Sequence, residues 1–353
     1  MPRFLLSRSF ARYLVACALA AGAAWAQAGV GFAQLPGLEQ DGPVTVFYPT
    51  QAQDEPVRRG PFTLQLASQA QPVRGNGRLV VVSHGSGGNP WVHTELARTL
   101  VGAGFMIAMP EHHADNSYDG SNSGPDSWKL RPGEVSRAID AVAKDTRFAP
   151  LLGFEKVGVF GQSAGGHTAL TLAGGRWSPG RFRQHCEAHL EEDFASCAGL
   201  YAALHGNAFD GLKKKVALAV IRYRFDDDAL VGHDDPRIAA AVAGVPSAAD
   251  FDFASLAAPR IPLGLVTAGR DKWLVPRFHG ERVLQACRPR CELIAHLPTG
   301  GHSILLSPPP PPPMEMLGAI ERDLLGDPPG FDRAALPEVD RRIAAFFRQH
   351  LLP

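Results

Sequence analysis

The chain has 353 residues, 45% of them hydrophobic, enough to bury one large core in what is expected to be a single domain over residues 27–353. Its 35 basic and 35 acidic residues balance, so the surface has no overall pull on nucleic acid or anionic lipid. No nucleic-acid partner is expected.

Arg3, Arg8 and Arg12 precede an apolar run from Tyr13 to Trp25, and Ala24-Trp25-Ala26 fits a small-residue cleavage rule. Residues 1–26 therefore read as a secretory signal, with the mature chain periplasmic or extracellular. The run is too short for a membrane helix, and no stable membrane insertion is expected. Leu14-Val15-Ala16-Cys17 resembles a lipoprotein box, but the apolar run starts only just before it and continues well past Cys17. Removal of the signal takes away three arginines and Cys17, leaving a formal charge of −3 and four cysteines, Cys186, Cys197, Cys287 and Cys291. An even number in an exported chain points to two disulfides. Three pairings are open; proximity favours Cys186 with Cys197 and Cys287 with Cys291, and the plain alternative is four free thiols.

Strands and helices are expected to alternate, an α/β pattern. Residues 44–48 and 62–66 read as antiparallel edge strands. Residues 79–82, 105–109, 157–160, 238–245, 263–267 and 292–297 read as the mainly parallel part. The strand at 79–82 runs into His84-Gly85-Ser86-Gly87-Gly88, a loop suited to offer the Ser86 N–H to an oxyanion, with His84 more suited to bracing the loop than to chemistry. A helix over 91–101 follows. The loop 111–128 is a candidate pocket wall; His112, His113 and Asp115 within it match no established metal spacing, and neither metal nor cofactor is expected. Arg131-Pro132 should open the next helix, carried by Val135, Ile139 and Val142.

The most informative segment is Gly161-Gln162-Ser163-Ala164-Gly165, entered from the apolar Val157-Gly158-Val159-Phe160 and left through Gly166-His167-Thr168-Ala169-Leu170. It reads as a strand that turns sharply into a helix with a nucleophilic serine at the apex. Gly161 and Gly165 let strand and helix approach, while the helix N-terminus, through the Ala164 N–H, favours a developing oxyanion. The alternative is a glycine-rich turn whose serine only caps the helix. Residues 176–235 are about 60 residues where a bare alternation needs far fewer, and are expected to form a cap over the site; a remote surface excursion is the plainer reading. The apolar patch 216–221 within them fits helix or strand.

An orienting carboxylate is expected at a strand's carboxyl end, and Asp271 follows such a strand in Gly269-Arg270-Asp271; Asp250 and Asp252 compete for the role. His302, in Pro298-Thr299-Gly300-Gly301-His302-Ser303, is the expected base. Prolines 308 to 313 read as a stiff spacer. Val339, Ile343, Phe346, Phe347 and Leu351 mark a closing amphipathic helix.

Together these segments resemble the α/β-hydrolase superfamily, and within it the bacterial group of platelet-activating-factor acetylhydrolases and predicted dienelactone hydrolases, over roughly residues 75–307. The similarity includes Ser83 to Gly88, Gly104-Phe105, Pro110-Glu111-His112, Arg131-Pro132, the serine turn, Asp235-Pro236-Arg237-Ile238-Ala239-Ala240, and the Asp271 and Gly301-His302 segments. Two departures matter. The acetylhydrolases carry His before and Phe after the serine where this chain has Gln162 and Ala164, and dienelactone hydrolases use a cysteine where it has Ser163. The resemblance and the residues imply an exported serine hydrolase acting on small-molecule or lipid-like carboxylic esters through a Ser163–His302–Asp271 triad. An amidase or peptidase of the same fold is the alternative, and a non-catalytic binding protein the remoter one.

Overall fold

The computed structural model describes residues 29–309 and 318–353. Residues 1–26, read above as a secretory signal with Cys17 in it, and prolines 310–313 lie outside the described residues.

The strands are β1 (Gly29–Leu35), β2 (Val44–Thr50), β3 (Glu55–Arg59), β4 (Phe62–Ser68), β5 (Leu79–Ser83), β6 (Met106–Pro110), β7 (Val157–Gln162), β8 (Arg176–Trp177), β9 (Ile238–Gly244), β10 (Phe251–Asp252), β11 (Leu263–Ala268) and β12 (Cys291–Leu297). Ten of them form one sheet in the order β12-β11-β9-β7-β5-β6-β2-β1-β4-β3, and β8 and β10 make a small separate pair. The run from β12 to β6 is parallel throughout. Such strands are buried on both faces, which is why they read as continuous apolar stretches such as Leu79-Val80-Val81-Val82.

The helices are α1 (Thr94–Gly102), α2 (Pro125–Lys144), α3 (Ala164–Leu172), α4 (Pro179–His189), α5 (Phe194–Ala198), α6 (Asp210–Arg224), α7 (Phe253–Leu256), α8 (Gly280–Cys287), α9 (Ala319–Leu325) and α10 (Leu336–Leu351). One face of the sheet packs on α1 and α10, through Leu96, Leu100, Ile343 and Phe347. The other packs on α2, α3 and α8, through Val135, Ile139, Leu170 and Val283. The Trp91 segment opens as a 3-10 turn, Pro90–His93, before α1.

Three expectations need correction. Strand 44–48 is not at an edge: β2 sits between β6 and β1, because Gly29–Leu35, unassigned from sequence, pairs along its whole length. Strand 62–66 is not an edge either; β4 is antiparallel to β3 and parallel to β1, and the margin is the polar β3, Glu55-Pro56-Val57-Arg58-Arg59. Pro132 does not open its helix. The helix begins at Pro125, which fills the first-turn role, and Pro132 lies inside it, lacking the N–H that would bond back to the carbonyl of Trp128. The loop after Glu111 therefore ends at Gly124. The undecided patch 216–221 is helical, within α6.

Residues 176–235 contribute β8, α4, α5 and α6, with a core of their own: Phe182, Cys186, Leu190, Phe194, Cys197, Ile221 and Phe225, with Trp128 packed against it. The sulfurs of Cys186 and Cys197 lie 2.05 Å apart and those of Cys287 and Cys291 1.95 Å apart, the two pairings favoured by proximity.

Candidate active site

Ser163 occupies the turn between β7 and α3 with φ 56° and ψ −117°, a conformation that L residues rarely adopt. The close approach around it needs two glycines. A Cβ on Gly161 would run into the Gly165 carbonyl, and one on Gly165 into that of Ser83. The strained peptide is fixed on both sides: Ser163 N–H donates to Gly244 O at 3.1 Å, and Ser163 O accepts from Ser247 N at 3.1 Å.

His302 Nε2 stands 3.0 Å from Ser163 Oγ, and His302 Nδ1 stands 2.8 Å from Asp271 Oδ2. The carboxylate can only accept, so Nδ1 carries the proton and Nε2 faces the hydroxyl with its lone pair. Asp271 is held in turn by the N–H groups of Trp273 and Leu274, at 2.8 and 2.9 Å from its Oδ1. Asp271 and His302 come from the carboxyl ends of neighbouring strands β11 and β12, and Arg270 N–H to Gly300 O ties their two loops at 2.9 Å. Gln162, noticed in the sequence only as a departure, donates from Nε2 to the His302 carbonyl at 3.1 Å. The competing carboxylates are engaged elsewhere: Asp250 pairs with His167 at 2.9 Å, and Asp252 caps α7.

Beside the serine, the loop after β5 passes close, with Gly85 packed against Ser163. Under this loop lies a buried polar platform that sequence reading missed. Arg131 and Asp115, both with fully buried side chains, pair at 2.8 Å, and Arg131 also donates to the carbonyl of His84 at 2.5 Å. Asp115 accepts from the hydroxyls of Ser86, Ser123 and Ser127 and from the Gly87 N–H. Burial alone would raise the Asp115 pKa, but Arg131 and the hydroxyls outweigh it and hold the carboxyl well below its usual range. His112 accepts from Ser83 Oγ at 2.7 Å and donates from Nδ1 to Glu134 at 2.5 Å. His84 donates from Nδ1 to Gly85 O at 2.7 Å while its Nε2 accepts from His112 N. Burial pushes both histidines well below their ordinary pKa, with His112 and then Arg131 adding to it at His84 and Arg131 at His112, so both rings are neutral. Burial raises Glu134. His112 and Asp115 thus brace the loop.

Among the described residues one other cluster has metal-like composition, His185, Asp193 and His279. Its hydrogen bonds give it a different character. Both Nε2 atoms meet Asp193 Oδ2, at 2.8 and 2.9 Å. His279 Nδ1 accepts from Ala248 N–H at 3.0 Å, so Nε2 bears the proton where a cation would have to bind. Asp193 also accepts from Val275 N–H at 3.3 Å, so the cluster fastens residues 176–235 to the segment just after Asp271. Burial raises the Asp193 pKa, but the two imidazoles overcome this and hold it well below the usual range.

A mostly parallel sheet, a strained strand-to-helix serine, and an acid and histidine following in chain order on later strand ends make up one known architecture. The fold is that of an α/β hydrolase. Among solved structures, a ferulic acid esterase from Streptomyces cinnamoneus superposes with a TM-score of 0.55, covering 94% of this chain and 92% of that one at 17% identity. No family model and no curated protein matches the chain. At such identity the likeness carries the fold alone. Within this α/β-hydrolase frame Ser163, His302 and Asp271 converge, Ala164 follows the serine in sequence, and Ser86 follows Gly85, which lies against the serine.

Proposed function

We propose that the chain is an exported serine hydrolase that cleaves carboxylic esters through an acyl-enzyme. The observation that supports this most is the continuous hydrogen-bonded series Ser163, His302, Asp271 at a strained turn. In this reading His302 takes the Ser163 proton as Oγ attacks the ester carbonyl, then gives it to the departing alkoxide; water repeats the sequence to release the acid. Asp271 holds the imidazole tautomer and stabilises the imidazolium. The oxyanion is received by the N–H groups of Ala164 and Ser86. In a trans peptide the Ser86 N–H points opposite to the Gly85 carbonyl. That carbonyl is engaged by His84, Gly88 N–H and Arg131, which turns the Ser86 N–H to the other side.

Residues 176–235 act in this reading as a cap, anchored through Asp193 to the loop that carries the acid. Export is supported by the N-terminal pattern at 1–26 and by the two cysteine pairs at bonding distance. Among the described residues no helix is long and apolar enough to cross a membrane. The resemblance to the acetylhydrolase and dienelactone hydrolase group suggests small or lipid-like esters.

A fluorophosphonate should label Ser163, and Ser163→Ala should lower turnover of chromogenic esters by several orders of magnitude with the fold intact. Asp271→Asn should keep substrate affinity and cut kcat steeply. A panel of acyl esters run beside anilides separates the esterase from the amidase of the same fold. A label found elsewhere by mass spectrometry, or near-normal turnover in the alanine variant, would refute the serine mechanism.

A further inference from the structure

Helix α6 turns an apolar stripe outward. Phe209 at its N-cap, then Leu212, Val216, Val220 and Tyr223, recur at intervals of three and four residues and are 49 to 84% exposed. Monomeric soluble proteins scatter such side chains singly; a continuous row marks an interaction surface. The opposite face is accounted for, since Ile221 and Phe225 are buried in the core of the insertion and Leu218 packs against it.

The arrangement of charge selects the partner. At 3.6 residues per turn, Lys213 and Arg224 fall along one flank of the stripe and Lys215 and Arg222 along the other. Asp210 is the only acidic residue among the 15 of the helix, against five basic ones. Lys213 pairs with Asp210 and Arg222 with Glu187, while Lys214, toward the packed face, pairs with Glu191. Among the described residues neither Lys215 nor Arg224 has a carboxylate partner; Arg224 donates to the Ser123 carbonyl. An apolar stripe between two basic borders is the pattern of a helix lying in the plane of a lipid interface, its side chains in the acyl boundary and its cations at the phosphates. A second copy of the chain meeting this face about a two-fold axis would set basic borders against each other. The nearly neutral chain gives no global attraction, so the effect is local to this helix.

We propose that the outer face of α6, with Leu212, Val216, Val220 and Tyr223 as the inserting stripe, docks the protein on an anionic phospholipid surface. Binding is peripheral and reversible, and a helix of 15 residues lays about 22 Å of its length along the surface.

The test is flotation of the exported protein with vesicles of phosphatidylcholine alone and of phosphatidylcholine doped with phosphatidylglycerol. Wild type should float with the doped vesicles and bind the neutral ones at least tenfold more weakly, with added salt releasing it. The double variant Leu212→Ser, Val216→Ser should lose binding to both. Lys215→Ala and Arg224→Ala should each weaken binding to doped vesicles about fivefold. All these positions are on the solvent face, and thermal midpoints matching wild type verify folding. Failure to float with either vesicle, equal binding to both, or unaltered binding by the stripe variant would overturn the proposal. So would a dimer in sedimentation that the stripe variant dissociates, which would assign the face to a second copy. Adsorption to an apolar polymer film without binding to vesicles would reassign it likewise.

Discussion

The platform beneath the His84–Gly88 loop and the helical insertion at 176–235 solve opposite problems with the same kinds of residue. Under the loop, charges are fully desolvated and every partner is fixed; Arg131, Asp115, His112 and Glu134 leave no slack in the backbone they support. The insertion has a small core, a cysteine pair, a three-membered hydrogen-bonded fastening at Asp193 and largely exposed ion pairs such as Glu192 with Arg277 and Lys129 with Asp227, and it exposes much of its apolar surface. Buried ionic networks gain little net stability but make wrong geometries expensive, whereas a lightly packed layer keeps its freedom to shift. On the proposed hydrolase reading, this contrast would put rigidity where backbone amides receive the oxyanion and latitude where the insertion caps the site.

The sharpest way to break the comparison is Arg131→Met. It leaves Asp115 buried without its cation, and the expected loss is about 3–5 kcal/mol, read by urea denaturation, together with a fall in kcat as the loop carbonyls lose their donor. Restoring neutrality with Arg131→Met, Asp115→Asn should recover stability more than activity. Equal recovery of both would make the platform a stability device only. Next in size is the cysteine pair of the insertion. Cys186→Ser with Cys197→Ser should cost about 2–3 kcal/mol on the chain-entropy estimate. Faster hydrogen exchange should appear within 176–198 while fluorophosphonate labelling of Ser163 stays normal and the preference between short and bulky acyl esters changes. An unchanged ester profile would weaken the cap assignment.

Asp193→Asn removes the charged acceptor shared by His185 and His279, at about 1–3 kcal/mol for hydrogen bonds to a charged group. Exchange should rise at residues 185–198 and 275–279 before the sheet is touched. The smallest effect lies in the acid response. Burial pushes His93 down to about 4. Its ordinary value is 6.5, so between 6.5 and 4 the unfolded chain takes up a proton that the native core refuses, and stability falls as pH falls through that window. His84 and His112 act in the same direction. Asp193, depressed instead, keeps its charge below the usual carboxylate range, so its contribution is lost only in stronger acid. The core around His93 should therefore weaken before the Asp193 fastening. His93→Phe should reduce the drop in thermal midpoint between neutral pH and pH 5, and an unchanged drop would remove His93 from the account.

The series Ser163, Asp271, His302 was legible because the chemistry demands those residue types in one chain order, each at the carboxyl end of an apolar run. The two cysteine pairings were legible from proximity. The platform was not. Its central ion pair joins residues 16 positions apart and Arg131 reaches a carbonyl 47 positions away, and a buried Arg131 is spelled like a surface one. Pro132 misled for a related reason: the N-terminal preference of proline is local, while packing on the sheet decides where α2 starts, at Pro125. Strand β1 was passed over because Gly29-Val30-Gly31 has little side chain to show, although a Cβ at Gly31 would collide with the Tyr48 ring.

The margins of the ten-stranded sheet carry a further consequence. An open edge is a template on which any extended peptide, including another molecule's, can continue the ladder. Here one margin is β3, where Pro56 withholds a donor and Glu55, Arg58 and Arg59 put charge along the border. The other is β12, with Glu292 and His296 exposed along it. Neither offers a clean apolar rail, so crowding among copies of this chain should not propagate into fibres through the sheet, and loss of solubility is expected to follow unfolding rather than precede it.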